Sequence, residues 1–499
     1  MKDWDSRWTL GMKGFNKYAQ GKLKHIKASS IACPREGRGY KPSPPQQVVS
    51  TLVHPATTVD RLLVAHLTGL GKTYSMILIL NNFFDDPRAK AVVFPNREVQ
   101  VNFYQEIMKF PSKWRDFVQR EQRKGESVVD TLAMTGKMHL AGKDGYPAAP
   151  LRALLYTTAG GSLVRRNESP LFKFRNKHKV SPYDDMIILM DEVHKLHEEQ
   201  PHKLAERAVS YLRQGLERAR NSVIVGFTAT PVVNSPMDAR RLLDTLRGYK
   251  YAAAETDEGF VSFYQKLHKN VFAQPRFKTV NVTLYGDNLD VYNKKEIEGV
   301  RDLHPYCNMS RTYRTSVRAG SPYALALKQD PKSTATKLHA IVKSVMKKRV
   351  RTLVLVHRES GFRAIKCIWN SLAKEKAIFL MEETEKHQLK GYNEGQGRVV
   401  FADAKLYEAG VSFLNVRRLV IADVPLSWAS WRQRIGRVLR FCGHDNRKKK
   451  VKIDMFVARR PSGIPSEDER NLRKLDDEDT ELTEAMQELR AVSVDRTVY

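Results

Sequence analysis

The sequence predicts an α/β protein with two domains in tandem, each a parallel sheet covered by helices. Two series of short, wholly apolar runs carry this prediction, one ending near Thr228 and the other running from Val280 to Val457. Amphipathic, helix-period segments separate the runs. Such alternation with fully apolar strands marks a parallel sheet buried on both faces. Composition is the third observation: 41% hydrophobic and 28% charged residues over 499 positions suit a packed core, with a size prior of about three domains.

The elements follow in order. Residues 1–44 are basic, rich in Gly, Lys and Arg, and read as an extension, closed by the proline-marked boundary KPSPPQQ (Lys41 to Gln47). The first domain spans 45–250. Its strands are Leu62–Leu67, Ala91–Pro95, Leu154–Thr158, Met186–Met190 and Val223–Thr228, and its helices include Thr73–Phe83, Val99–Phe110 and Lys203–Arg218. Residues 251–335 read as linker and insertion leading into the second domain, with a strand at Val280–Leu284. The aromatics between Phe260 and Phe277 recur at core-like spacing and are read as packing. The second domain, 336–460, has a helix at Lys337–Lys347 and strands Leu353–His357, Ile378–Met381, Val399–Ala402, Leu419–Ala422 and Val451–Val457. The tail, 461–499, turns acidic, and LDDEDTELTEAMQELR reads as one exposed helix.

Charge narrows the function. Lys and Arg number 85 against 55 Asp and Glu, a net charge of +30, which suits a polyanionic partner, most often nucleic acid, over a merely solubilising surface. No basic amphipathic helix stands out for a membrane surface, and no apolar run approaches the ~18 residues a span requires. MKDWDSRWTL places acids where a signal peptide has its apolar core. The four cysteines (Cys33, Cys307, Cys367, Cys442) lie far apart without a CxxC pair, against a disulfide framework and a zinc ribbon and for a reducing compartment. HEEQPH (His197 to His202) has HExxxH spacing; its histidines diverge on a helix, so no zinc is expected there.

HLTGLGKT (His66 to Thr73) follows a strand and opens a helix. Gly69 and Gly71 let the backbone wrap phosphates, with Thr68, Leu70 and the helix N-terminal amides around the anion. Lys72 reaches the β- and γ-phosphates and the Thr73 hydroxyl ligates Mg²⁺. The strict pattern GxxxxGK[ST] has glycine where this chain has His66. A Gly-rich turn that only starts a helix is the plainer reading. MIILMDEVH (Met186 to His194) then places two acids at the end of an apolar strand, the carboxyl edge where ligands bind in such sheets. Asp191 suits the Mg²⁺ shell and Glu192 suits polarisation of the attacking water. GFTATPVVNSP closes another strand with Thr228-Ala229-Thr230. QRIGRVLRFCGHD places Gln433, Arg437 and Arg440 on one helical stripe at i, i+4 and i+7; two arginines there suit a γ-phosphate, or form a solvated basic face.

Together these stretches resemble superfamily 2 helicase-like ATPases. HLTGLGKT looks like motif I, VVFPNREV like motif Ia, DEVH like motif II, TAT like motif III and QRIGRVLR like motif VI, over about residues 45–460. Within that superfamily, HLTGLGKT, FTATPVVNSP and EAGVSFLNVRRLVI look closest to poxvirus nucleoside triphosphatase I and the small subunit of the poxvirus early transcription factor. Swi/Snf-type translocases are the next nearest. The resemblance implies two tandem RecA-like domains with an ATP cleft between them, ATP and Mg²⁺ as cofactors, and nucleic-acid-stimulated hydrolysis driving movement on DNA. Gln46 or Gln47, with Gln47 favoured, is the implied adenine-reading glutamine. Glu192, Gln433, Arg437 and Arg440 are the implied catalytic set, and His194 the implied coupling residue. Arg97, Thr158, Arg358 and Gly410 are the implied nucleic-acid contacts. DNA is favoured over RNA, an RNA polymerase or transcription complex is the implied partner, and no membrane is involved. The implied location is intracellular: a virion or cytoplasmic viral factory for a viral protein, the nucleus otherwise. Those poxvirus relatives are longer, so a partner-binding domain after motif VI is expected to be missing, and motif V matches only at Gly410 and Ser412. An RNA helicase and a transcription-factor subunit with a vestigial ATPase are the alternatives.

Overall fold

The structure is a computed structural model. It describes residues 4–498 apart from 27–40, 123–126, 134–144, 161–180, 199, 201, 234, 236, 266–271, 302, 310–319, 383–384, 408–410, 441 and 446–449. The chain divides into two compact units, Met1–Lys266 with Glu481–Tyr499, and Leu267–Thr480.

The first unit holds a six-stranded sheet in the order β3-β2-β4-β5-β1-β6. The strands are β1 (Arg61–His66), β2 (Ala89–Phe94), β3 (Leu151–Leu155), β4 (Met186–Asp191), β5 (Val223–Thr228) and β6 (Val261–Tyr264). Every pairing is parallel. β1 and β5 are buried along their whole length, which is why Leu62–Ala65 and Val223–Phe227 read as apolar runs. Parallel order also fixes the chemistry: the segments after β1, β4 and β5 all leave from one carboxyl edge.

Two details depart from expectation. β3 lies three residues earlier than the apolar run suggests. The chain turns helical from Tyr156, so Thr158 sits beyond the strand. β6 falls in a stretch read as linker. It pairs with β1 from Leu63↔Val261 to His66↔Tyr264, with Phe260 and Tyr264 buried beside it.

The second unit holds another six-stranded parallel sheet, β7-β12-β11-β8-β10-β9. Its strands are β7 (Gln274–Thr283), β8 (Thr352–Val356), β9 (Ile378–Leu380), β10 (Val399–Asp403), β11 (Arg418–Ile421) and β12 (Lys450–Arg459). Helices Thr336–Lys347 and Phe362–Leu372 press Leu338, Ile341, Val345, Ile365 and Trp369 onto Val354, Val356 and Phe401. β7 starts six residues before the expected strand because it is a half-exposed edge, and its polar residues hide it from an apolar-run rule. Phe277 on it is 55% exposed and packs its ring against Trp431 at 5.7 Å, so it lies at the surface and not in the core. Each unit is an α/β domain built on a six-stranded parallel sheet.

The helix Glu467–Ala491 is not wholly exposed. It buries Leu475, Leu482, Met486 and Leu489 at helix-face spacing. Cys307 is a buried thiol and Cys367 a half-buried one. Among the described residues no helix is long and apolar enough to cross a membrane.

Candidate nucleotide site

β1 ends at His66, and the chain turns through Gly69 (φ 86°) and Gly71 (φ 76°) before the helix Lys72–Asn82 begins. Both glycines occupy the left-handed region that a side chain disfavours. A Cβ on Gly71 would lie 2.6 Å from Gln46 Nε2. Gln46 is buried at the start of the helix Pro44–Leu52. Its Nε2 donates to the Leu70 and Gly71 carbonyls at 3.0 and 3.2 Å, and its Oε1 accepts from the Ser43 amide at 2.8 Å. Gln46 is therefore the glutamine that touches the loop. Gln47 turns its amide to the Pro42 carbonyl at 2.7 Å.

Lys72 Nζ stands 3.8 Å from Glu192 Oε1, so the loop and the acid motif, far apart in sequence, meet at the carboxyl edge. Thr68 and Leu70 are buried, and Thr73 is half-buried. Glu192 has φ 50°, a left-handed backbone that breaks β4 abruptly. Burial, and after it the Glu192 charge, push the Asp191 carboxyl up to about 7, while Lys72 pulls it down. The Thr73 hydroxyl and this crowded pair of carboxylates are hard oxygen donors that a divalent cation would neutralise, so the set fits Mg²⁺.

His194 ties the acid motif to β5. Its Nδ1 lies 2.8 Å from Thr228 Oγ1 and its Nε2 lies 3.2 Å from Glu198 Oε1. Thr228 Oγ1 also accepts from the Thr230 amide at 3.0 Å. Burial would raise the Glu198 carboxyl, but the His194 hydrogen bond and the charges of His194 and Lys195 hold it down at about 2. Glu198 sits inside HEEQPH, whose spacing by itself does not single it out; His197 in the same stretch faces Thr245 Oγ1 at 3.2 Å.

In the second unit the expected arginine stripe is not one helix. The helix Trp428–Gly436 ends before Arg440, and Arg437 is its C-cap. The chain turns inward there to bury Val438 and Leu439. Both guanidinium groups still converge, donating to the Val411 carbonyl at 3.2 Å from Arg437 and 2.6 Å from Arg440. Gln433 is half-buried on the helix. Asp423, which follows β11, was missed. Its Oδ2 accepts from the His357 amide at 2.7 Å and its Oδ1 from Asn308 Nδ2 at 2.7 Å. The same oxygen lies 3.0 Å from His304 Nε2, and the Asp423 carbonyl accepts from Arg434 at 2.9 Å. An acid closing an apolar run was the signal, the same one that revealed Asp191.

Arg97 is exposed at the start of the helix Arg97–Lys109, beyond β2, and Thr158 is exposed beyond β3. Arg358 follows β8, about half exposed, with Glu382 at 3.6 Å. Gly410 lies outside the described residues.

Residues 39–233 match the protein-family model described as type III restriction enzyme, res subunit. No curated protein matches the sequence. Among solved structures, the helicase domain of Hef from Pyrococcus furiosus is 14% identical, over 86% of this chain and 97% of that one, with a TM-score of 0.45. Dbp5 from S. cerevisiae, bound to RNA and ADP BeF3, is 14% identical over 91% and 94%, with a TM-score of 0.44. At these values no residue role is carried over from either structure.

Proposed function

We propose that this chain is a nucleic-acid-dependent ATPase of the superfamily 2 helicase and translocase type, coupling ATP hydrolysis to movement on DNA. The observation that carries the reading is the meeting of Lys72 and Glu192, 3.8 Å apart, beside a loop held open by two left-handed glycines. The match over residues 39–233 to a restriction-enzyme res subunit supports it. Lys72 and the loop amides bind the phosphates. Thr73 and Asp191 would hold Mg²⁺, which when bound neutralises phosphate charge. Glu192 orients and polarises the attacking water, and Gln433, Arg437 and Arg440 meet the charge that develops on the γ-phosphate. Arg97, Thr158, Arg358 and Gly410 grip the nucleic-acid backbone. The setting we propose is viral-type transcription inside the cell, beside an RNA polymerase.

The test is steady-state ATP hydrolysis with no nucleic acid, single-stranded DNA, duplex DNA and RNA, on the parent, Lys72→Ala and Glu192→Gln. DNA should stimulate the parent, and both variants should lose turnover by about 100-fold or more. Lys72→Ala should also weaken ATP binding, whereas Glu192→Gln should retain it. Stimulation by RNA alone would move the reading to an RNA helicase, and absence of hydrolysis under every condition would leave a vestigial site.

A further inference from the structure

His66 occupies the place of the first glycine in the phosphate-loop pattern and is the last residue of β1. It is 2% exposed, and its ring meets Tyr264 of β6 edge-on at 6.2 Å. Its Nε2 lies 2.8 Å from Ser262 Oγ, and Ser262 Oγ donates to Asp495 Oδ2 at 2.5 Å. The other oxygen of Asp495 accepts from the Phe263 amide at 2.9 Å. Ser262 and Asp495 are fully buried.

Main-chain contacts hold the segment that carries Asp495. Val494 donates to the Val261 carbonyl at 2.8 Å, and Asn16 Nδ2 donates to the Val492 carbonyl at 2.9 Å. Asn16 Oδ1 in turn accepts from the Gly259 amide at 2.8 Å. Segment 492–495 is thereby fastened along β6, the neighbour of the strand that delivers the loop.

The proton order in this chain is fixed. Ser262 has one hydroxyl proton and gives it to Asp495, so its oxygen accepts from His66 Nε2–H. Burial, and then the Lys72 charge, push His66 down to about 3, which keeps the imidazole neutral. A glycine at position 66 would leave the loop entry unanchored. A histidine held by Ser262 and packed edge-on against Tyr264 removes that freedom before any nucleotide arrives, which is preorganisation.

We propose that His66, Ser262 and Asp495 are positioning residues for the nucleotide: through them segment 492–495 sets the geometry of the phosphate loop. This rests on the reading of His66 to Thr73 as that loop.

The test uses the full chain. Hydrogen exchange is followed without nucleotide, and a fluorescent ATP analogue reports affinity. Ser262→Ala should speed exchange of the 66–73 amides about tenfold and weaken the analogue about tenfold, the size of one lost charge-assisted hydrogen bond. Exchange across 186–191 should not change. Asp495→Leu should act in the same direction and Asp495→Asn, which keeps an acceptor, should restore most of the effect. In a His66→Gly background, Ser262→Ala should no longer alter affinity. Equal effects in both backgrounds, unchanged loop exchange, or equal acceleration across 186–191 would overturn the proposal. Lys72→Ala is the separate control. If it binds the analogue like the parent, the phosphate-loop reading fails, while the exchange data still decide the coupling.

Discussion

Among single residues, His304 offers the sharpest handle on pH. It faces Asp423 Oδ1 at 3.0 Å and Asp468 Oδ1 at 3.7 Å, while Lys337 Nζ pairs with Asp468 Oδ2 at 2.5 Å. Burial would lower the imidazole, but the charge of Asp423, its hydrogen bond and Asp468 raise it to about 9. Asp423 and Asp468 are held below the usual carboxylate range, against burial, chiefly by His304 and Lys337 respectively. The linkage has a definite sign. A histidine with a raised folded value adds stability that is complete below its ordinary value near 6.5 and lost as pH climbs through about 9. The loss should be on the order of 3 kcal/mol. The carboxylates act at the other end and lose their contribution only in acid. Melting temperature from pH 6 to 10 should therefore fall more for the parent than for His304→Gln; parallel curves would clear His304 of the role. Asp423 was legible in principle, as an acid ending the run Leu419–Ala422. His304 was not, because its partners lie more than a hundred residues away in sequence.

At the scale of elements, hydropathy found the apolar strands, even the three-residue β9, and missed β6 and the first half of β7, where polar residues interrupt the pattern. β6 has four residues and carries Ser262, and β7 is a polar edge, so neither shows as a long apolar run. The arginine stripe failed for a different reason: helical spacing was right up to Gly436, but burial of Val438 and Leu439 bends the chain. Arg61 shows the limit most clearly. The apolar run begins at Leu62, yet the strand begins one residue earlier with a fully buried arginine. Its Nη1 donates to the Leu216 and Leu246 carbonyls at 3.2 and 3.1 Å, and its Nη2 to the Ala219 carbonyl at 2.7 Å. These carbonyls lie at the C-terminal ends of the helices Lys203–Arg218 and Met237–Arg247, where the last turn's carbonyls have no partner within the helix ladder; Leu216 also accepts from the Ala219 amide at 3.2 Å. One cation thus closes two helix ends and fixes where the loop-bearing strand starts. Arg61→Met keeps the volume and removes the donors. It should destabilise the protein by about 3 kcal/mol, as buried carbonyls lose their partners. Arg7→Met, at an exposed side chain, should leave the melting curve unchanged. Equal melting of the two variants would mean that Arg61 only fills space.

For the whole molecule the decisive quantity is the net charge of +30. Two physical accounts compete for it. In one, the cations are dispersed and keep the chain soluble. In the other, they neutralise the phosphates of a bound strand and release its condensed counterions. Only the second makes affinity a steep function of salt, because each phosphate contacted lowers log K by about 0.9 per decade of salt on duplex DNA and about 0.7 on a single strand. With roughly six to ten contacts, affinity should fall by about 10³- to 10⁵-fold between 50 and 200 mM salt. Backbone contacts carry no sequence information, so scrambled duplexes of equal length should bind within about threefold of one another. Lys72→Ala should leave the salt slope unchanged, since Lys72 faces Glu192 in the candidate nucleotide site. Fluorescence anisotropy with labelled duplex and single-stranded DNA across a salt series measures all three. A slope near zero would assign the charge to solubility, and a strong preference for one sequence would require base-reading contacts in place of a backbone grip. A slope that drops in Lys72→Ala would put that lysine on the nucleic acid, and the loop from His66 to Thr73 would have to be read again from there.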